Sequence, residues 1–240
     1  MNIKKVRIFG LDNLNQGRVL AADDIHLWLV NIKHKFVEDN FCKLYDILDL
    51  KEKEIFGRYI LEEHRRRFVC SRGILKKLVA NYLNIEINDI FIKYNDKGKP
   101  FLDNSVNYIN LNFNISHSNE LLIIVFTLES LIGADIEYID KSRDIMGISK
   151  RFFNINEYNY INRYKGDEQF KIFYIFWTFK EALLKCCGMG ITCDFHNITL
   201  PLTESKIFEN LEGIYKYCNK IWNYNILEIC NKYIINIVYG

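Results

Sequence analysis

Two short strings hold residue types spaced for chemistry: Gly133-Ala-Asp-Ile-Glu137 and Trp177-Thr-Phe-Lys-Glu-Ala-Leu-Leu-Lys185. In an extended strand, residues two apart share a face, so Asp135 and Glu137 project together while Ile136 turns away. In a helix, residues four apart are neighbours, which sets Lys185 one turn beyond Glu181. Three carboxylates and an ammonium that converge this way suit a hard divalent cation held against a phosphate, because magnesium takes carboxylate, water and phosphate oxygens. Each string also has a plainer reading. Asp135 and Glu137 are compatible with a solvent-facing pair on an edge strand, although the flanking Ile132, Ala134, Ile136 and Ile139 weigh against two like charges there. Glu181 and Lys185 alone would be an ordinary helical ion pair, worth about 0.2–0.5 kcal/mol.

Periodicity outlines the strands and helices that carry these groups. An apolar run from Leu121 to Leu128 and a turn-like Glu129-Ser130 precede a strand predicted over 132–139. Helical material spans about 149–165, and a longer helix spans about 168–187. Gly188-Met-Gly190 stops it, with a glycine where helix C-caps favour one. Strands follow near Ile198, Ile207, Ile226 and from Tyr233 to Val238. Upstream, the pattern predicts a strand over 25–32, helix over 36–59 and a long helix over 61–83 closed by Asn84. Ile85 to Ile92 leads into a strand, Asn95-Asp-Lys-Gly-Lys-Pro100 is a turn, and Asn112 to Ile115 is a short strand ending at Ser116-His117-Ser118. Residues 1–22 show little pattern beyond Val6 to Phe9. Each half offers helices plus antiparallel-looking strands, which is an α+β plan. The junction falls near Ser130, giving an N-terminal half, 1–130, and a C-terminal half, 131–240, that carries the carboxylates. The sequence has no evident repeat, so any two-fold relation between the halves would be structural.

The helix over 61–83 contains His64-Arg-Arg-Arg-Phe-Val-Cys-Ser-Arg72. Its apolar stripe comprises positions 61, 68, 75, 78, 79 and 82, and Arg65 and Arg72 fall on it. An arginine facing a core needs an anion, supplied by a phosphate or by an internal acid. Arg66 and Arg67 fit a solvated face. Gly98-Lys99-Pro100 is a turn with a basic residue. His117 at a strand end reads as structural more readily than functional, and a hydrolytic Ser116–His117 pairing is disfavoured because adjacent strand residues point apart.

The composition is globular, with 49% hydrophobic and 26% charged residues in 240. A formal charge of +2 argues against a general nucleic-acid binder. No apolar stretch is long enough to span a bilayer, and no signal peptide is evident at the N-terminus, so a cytoplasmic location without membrane attachment is expected. The seven cysteines include no C-x-x-C pair, and adjacent Cys186 and Cys187 have poor disulfide geometry; free thiols are expected.

Taken in order, Gly98-Lys-Pro100, Phe113-Asn-Ile-Ser-His-Ser118, Gly133-Ala-Asp-Ile-Glu137 and Trp177-Thr-Phe-Lys-Glu181 with Lys185 resemble the blocks of the 4′-phosphopantetheinyl transferases. The chain is similar to the long, monomeric surfactin type rather than the short trimeric holo-acyl-carrier-protein synthases, over roughly residues 25–238. The resemblance implies a pseudo-dimeric α+β fold of two similar halves. It also implies a reaction, the transfer of 4′-phosphopantetheine from coenzyme A to a serine of an acyl or peptidyl carrier protein, with release of 3′,5′-ADP. By motif, Asp135, Glu137 and Glu181 are implied magnesium ligands, with manganese as the alternative metal, and Lys185 contacts the phosphate and leaving group. Ser116, His117 and Lys99, with neighbouring Pro100, are implied to hold the nucleotide and its phosphates; Lys180 is a further phosphate contact. Arg67 and Arg72 fall near the family's basic coenzyme-A-binding positions. An unactivated serine hydroxyl must lose a proton, and either Glu181 or a metal-bound water it orients is the base. The departures spare every implied ligand: Asn119 follows Ser-His-Ser, Ala134 sits in the acidic block, and Thr178 stands in the Trp-x-x-Lys-Glu string. Residues 1–22 have no counterpart and read as a lid, a carrier contact or an extension.

Overall fold

The computed structural model describes residues 3–14, 16–189, 195–200 and 211–240. Gly190 and the strand expected near Ile207 lie outside them. The chain forms two compact units, residues 1–95 with 100–129 and residues 96–99 with 130–240.

In the first unit, β1 (Lys5–Phe9), β2 (Asp24–Asn31), β6 (Leu121–Leu128) and β5 (Leu111–Ser118) form a sheet in that order, with β1 parallel to β2 and the other pairs antiparallel. The helices are α1 (Lys35–Asp46), α2 (Leu50–Arg58) and α3 (Glu62–Leu83), and β3 (Ile92–Tyr94) pairs with β4 (Pro100–Leu102) as a separate ribbon. Phe68, Val69, Leu75, Leu78 and Val79 of α3 share a core with Trp28, Val30, Leu122, Ile124 and Phe126. Glu62 and Glu63 lie in the first turn of α3, where acids complement the helix dipole, and left-handed Asn84 (φ +50°) ends it.

Two expectations change here. Leu61 precedes α3 and is exposed rather than part of its apolar stripe. The 85–92 segment leads into a strand as expected, through a 3₁₀ turn over Ile87–Asp89 that precedes β3. The described residues of the 1–22 stretch are packed against the first unit rather than forming a loose extension. Leu11, Leu14 and Leu20 are buried in the core, and the Lys4 ammonium donates to Thr127 Oγ1 and Leu128 O, each at 3.0 Å. A short strand and scattered leucines give no periodicity from which this docking could be read.

The second unit has the antiparallel order β7 (Ile132–Tyr138), β10 (Tyr233–Tyr239), β9 (Lys220–Ile229), β8 (Leu211–Tyr217), with α4 (Ile145–Phe152), α5 (Ile155–Arg163) and α6 (Gly166–Cys187). Asp144 and Asn154 cap α4 and α5 by accepting from Gly147 N and Glu157 N. Phe173, Phe176, Phe179 and Leu183 of α6 pack with Tyr224, Ile226, Ile234 and Val238. Gly188 takes a left-handed φ of +69° and closes α6. Ile198 is not in a strand; it follows a 3₁₀ turn over Phe195–Asn197 and is buried in this core. Both units are therefore mixed α and β, each setting a 22-residue helix on a four-stranded sheet among the described residues.

Candidate active site

The carboxylates sit where β7 meets α6. A Cβ on Gly133 would lie 2.1 Å from Ala182 O and 2.2 Å from Cys186 N, so only glycine lets strand and helix backbones touch there. Strand alternation then turns Asp135 and Glu137 toward the same helix. The Lys185 ammonium reaches Asp135 Oδ1 at 2.6 Å, with the Asp135 side chain only 5% exposed. Glu181 is buried as well. Burial, then the negative charge of Asp135, push its carboxyl up to about 7; Glu137 adds to the rise and Lys185 opposes it. One ammonium thus stands among three carboxylates.

Among the described residues, no three His, Cys, Asp or Glu side chains are already closed into a metal cage. The donor chemistry nonetheless fits a hard cation: the three groups offer only carboxylate oxygens, and burial together with the charge of Asp135 raises the proton affinity of Glu181. Asp135, Glu137 and Glu181 are the residues that would hold it.

Asn236 is a neighbour that sequence reasoning missed. It lies directly opposite Asp135 across the β10–β7 ladder. Its Nδ2 donates to Thr178 Oγ1 at 2.6 Å and Ile175 O at 3.3 Å, while Thr178 Oγ1 donates to Tyr174 O at 2.7 Å. This buried amide ties β10 to α6 beside the acidic cluster. Its one signal in the sequence is a polar residue inside the apolar run Tyr233–Tyr239.

Lys180 belongs elsewhere. It is fully buried, pairs with Glu157 Oε2 at 2.7 Å, and donates to Phe195 O at 2.7 Å and to Ile198 O. Burial drives both charges toward their neutral forms, and each pulls the other back. A buried ammonium so occupied is a knot joining α5, α6 and the 195–198 segment, not a phosphate contact. Only the side-chain direction, about a quarter-turn from Glu181 on the helix, separates the two roles.

In the first unit, Tyr59, His64, Arg67, Phe68, Ser71, Arg72, Pro100, Ile115 and His117 line a cavity of about 440 Å³. Arg67 Nη2 donates to Glu63 Oε1 at 2.5 Å and Asn119 O at 3.0 Å. The Arg72 guanidinium lies over the rings of Phe68 and Tyr94, 5.7 and 5.5 Å from their centroids. The Nε–H groups of Arg67 and Arg72 are buried without a hydrogen-bond partner among the described residues, an arrangement that suits an anionic ligand. Arg65, which shares the stripe with Arg72, instead donates Nε to Tyr59 O at 2.8 Å and stacks over Phe56. The left-handed turn at Asn119 (φ +50°) presents the carbonyl that Arg67 uses.

His117 and Pro100 therefore lie on the cavity, whereas Ser116 and Lys99 do not. Ser116 is buried on the opposite face of β5 from Ile115 and His117. Lys99 spends its ammonium on two backbone carbonyls, Ile132 O and Cys186 O, each at 3.1 Å. The described cysteines, Cys42, Cys70, Cys186, Cys187, Cys218 and Cys230, are free thiols. No described helix is long and apolar enough to cross a membrane.

Comparison with known proteins accounts for both units. Residues 131–238 match the model of the 4′-phosphopantetheinyl transferase superfamily, and residues 34–128 match that of the 4′-phosphopantetheinyl transferase N-terminal region. The 4′-phosphopantetheinyl transferase HetI of Nostoc sp. (strain PCC 7120) is 34% identical over 187 residues, 78% of each chain. The 4′-phosphopantetheinyl transferase gsp of Aneurinibacillus migulanus is 29% identical over 182 residues, covering 76% of this chain and 73% of the relative. The human L-aminoadipate-semialdehyde dehydrogenase-phosphopantetheinyl transferase is 31% identical over 174 residues, 69% of this chain but 56% of that longer protein. With matches across both halves and an acidic site at β7 and α6, the chain belongs to the 4′-phosphopantetheinyl transferase superfamily.

Proposed function

We propose that the protein transfers the 4′-phosphopantetheine group of coenzyme A to a serine of an acyl or peptidyl carrier protein, releasing 3′,5′-ADP and converting the carrier to its holo form. The observation that carries this reading is the acidic cluster of Asp135, Glu137 and Glu181 with Lys185 at 2.6 Å from Asp135. In the transfer, the serine oxygen forms a bond to the phosphorus bearing pantetheine, and the bond from that phosphorus to the bridging oxygen of 3′,5′-ADP breaks. Lys185, freed from Asp135, offers its ammonium to the leaving phosphate. Glu181, or a water that it orients, takes the proton from the serine hydroxyl. Magnesium or manganese, when bound by the carboxylates, would neutralise pyrophosphate charge. Arg67, Arg72 and His117 in the first-unit cavity supply positive and polar groups for the nucleotide's phosphates.

Incubation with coenzyme A, magnesium and a panel of fatty-acid, polyketide and peptide carrier proteins in their apo forms tests this. A mass gain of one phosphopantetheine on at least one carrier is expected, and it should vanish with chelator. No gain on any member of a broad panel would sink the proposal.

A further inference from the structure

Lys99 lies in the turn between β3 and β4, within the 96–99 stretch that packs with the second unit. Among the described residues, it meets two carbonyls that the regular ladders do not use. The Leu131–Gly240 pair exchanges both backbone hydrogen bonds, so antiparallel alternation turns the next carbonyl, Ile132 O, away from β10. At the end of α6, the N–H groups of Gly188 and Met189 serve the carbonyls of Leu184 and Lys185. Cys186 O is one of the terminal carbonyls that helix geometry leaves over. The Lys99 ammonium takes both, at 3.1 Å each. It also places positive charge at the negative end of the helix dipole. The bridge crosses the point where Gly133 brings the backbones of β7 and α6 into contact. Ile132 is three residues before Asp135, and Cys186 directly follows Lys185.

We propose that Lys99 is a positioning residue, stapling the start of β7 to the last turn of α6 so that Asp135 is held against Lys185 and Glu181. This role rests on the transferase reading of the acidic site. It replaces the direct phosphate contact that the motif Gly98-Lys99-Pro100 implies. A side chain gripping phosphate acts on ligand affinity, whereas a staple acts on the alignment of the reacting groups.

The two roles separate in the variants Lys99→Met and Lys99→Gln, the second keeping a hydrogen-bond donor if the first does not fold. Steady-state transfer to an apo carrier gives kcat and the KM for coenzyme A. Amide hydrogen exchange of Gly188 and Met189, measured without ligand, reports on the helix end directly. The staple predicts kcat lower by about 10- to 100-fold, the range for residues that orient a site, a coenzyme A KM within about twofold, and exchange about tenfold faster or more. Lys99→Gln should show the same pattern more weakly. A raised KM with unchanged kcat and unchanged exchange would make Lys99 a ligand contact and overturn the proposal, as would no change in any reading. If the wild-type protein transfers nothing, the transferase reading fails on its own; unchanged exchange in both variants would still refute the staple, and faster exchange would uphold it.

Discussion

The two 22-residue helices, α3 and α6, are built alike and used differently. Each lies on a four-stranded sheet and ends in a left-handed residue, Asn84 or Gly188. Along α3 the charges that matter are arginines on the helix surface, and Arg72 reaches a cavity while its flank rests on Phe68 and Tyr94. Along α6 they are Glu181 and Lys185, pressed against a strand that carries acids of its own. The contrast is between half-buried, partly satisfied donors beside a cavity on α3 and carboxylates buried beside like charge on α6. Their buried lysines are used alike. Lys76 of α3 pairs with Glu52 at 2.5 Å and Asp49 at 3.3 Å and thereby holds α2; Lys180 of α6 pairs with Glu157 and holds α5. In each helix one buried lysine is spent on holding a neighbouring helix.

Four measurements test this contrast. The largest effect is expected from Asp135→Ala and Glu181→Ala, which should lower transfer by at least about 10³-fold while circular dichroism and thermal unfolding stay native-like. Near-normal turnover in either would remove the acidic site from α6. Next, Lys180→Met leaves Glu157 buried without its partner, and urea unfolding should show a loss of about 3–5 kcal/mol. The double variant Lys180→Met/Glu157→Leu should recover most of it, and equal damage in both would show that the pair is not what matters.

The third concerns α3 and pH. His26 is buried, its Nδ1 lies 2.7 Å from Tyr82 Oη of α3, and burial lowers its proton affinity to about 4. The folded state therefore resists a proton that the unfolded chain accepts near pH 6.5. The corresponding stability is complete above about pH 6.5 and is lost as pH falls toward 4, on the order of 2 kcal/mol. Denaturant midpoints between pH 7 and pH 4 should show this fall, and His26→Gln should flatten it; an unchanged slope in the variant would assign the acid loss to other groups. Smallest is Arg72→Ala, expected to raise the KM for coenzyme A about tenfold, within the range for one charged hydrogen bond, with kcat little changed. A fall in kcat at constant KM would place Arg72 with the reacting groups and erase the distinction between the helices.

Much of this was legible in the chain. Helical periodicity located α3 and α6 to within a residue or two, because each buries a long apolar face that nothing else in the sequence mimics. Period-two spacing put Asp135 and Glu137 on one face, and the order of four short strings was enough to indicate the family. What periodicity does not encode is the far end of a side chain. Lys99 and Lys180 sit in motifs that imply phosphate, yet their ammonium groups are held by carbonyls and an acid contributed by other segments. Ser116 lies beside His117 in sequence but on the opposite face of β5. Asn236 meets Asp135 across a ladder formed by strands about a hundred residues apart.

The elements, the acidic and basic residue sets and the family are readable from residue order, since these depend on local spacing and on residue type. Which cations are spent on the fold is settled by long-range packing. That choice is made by burial: a buried ammonium or guanidinium must find its acceptors wherever the packed chain brings them. No local pattern records where that is.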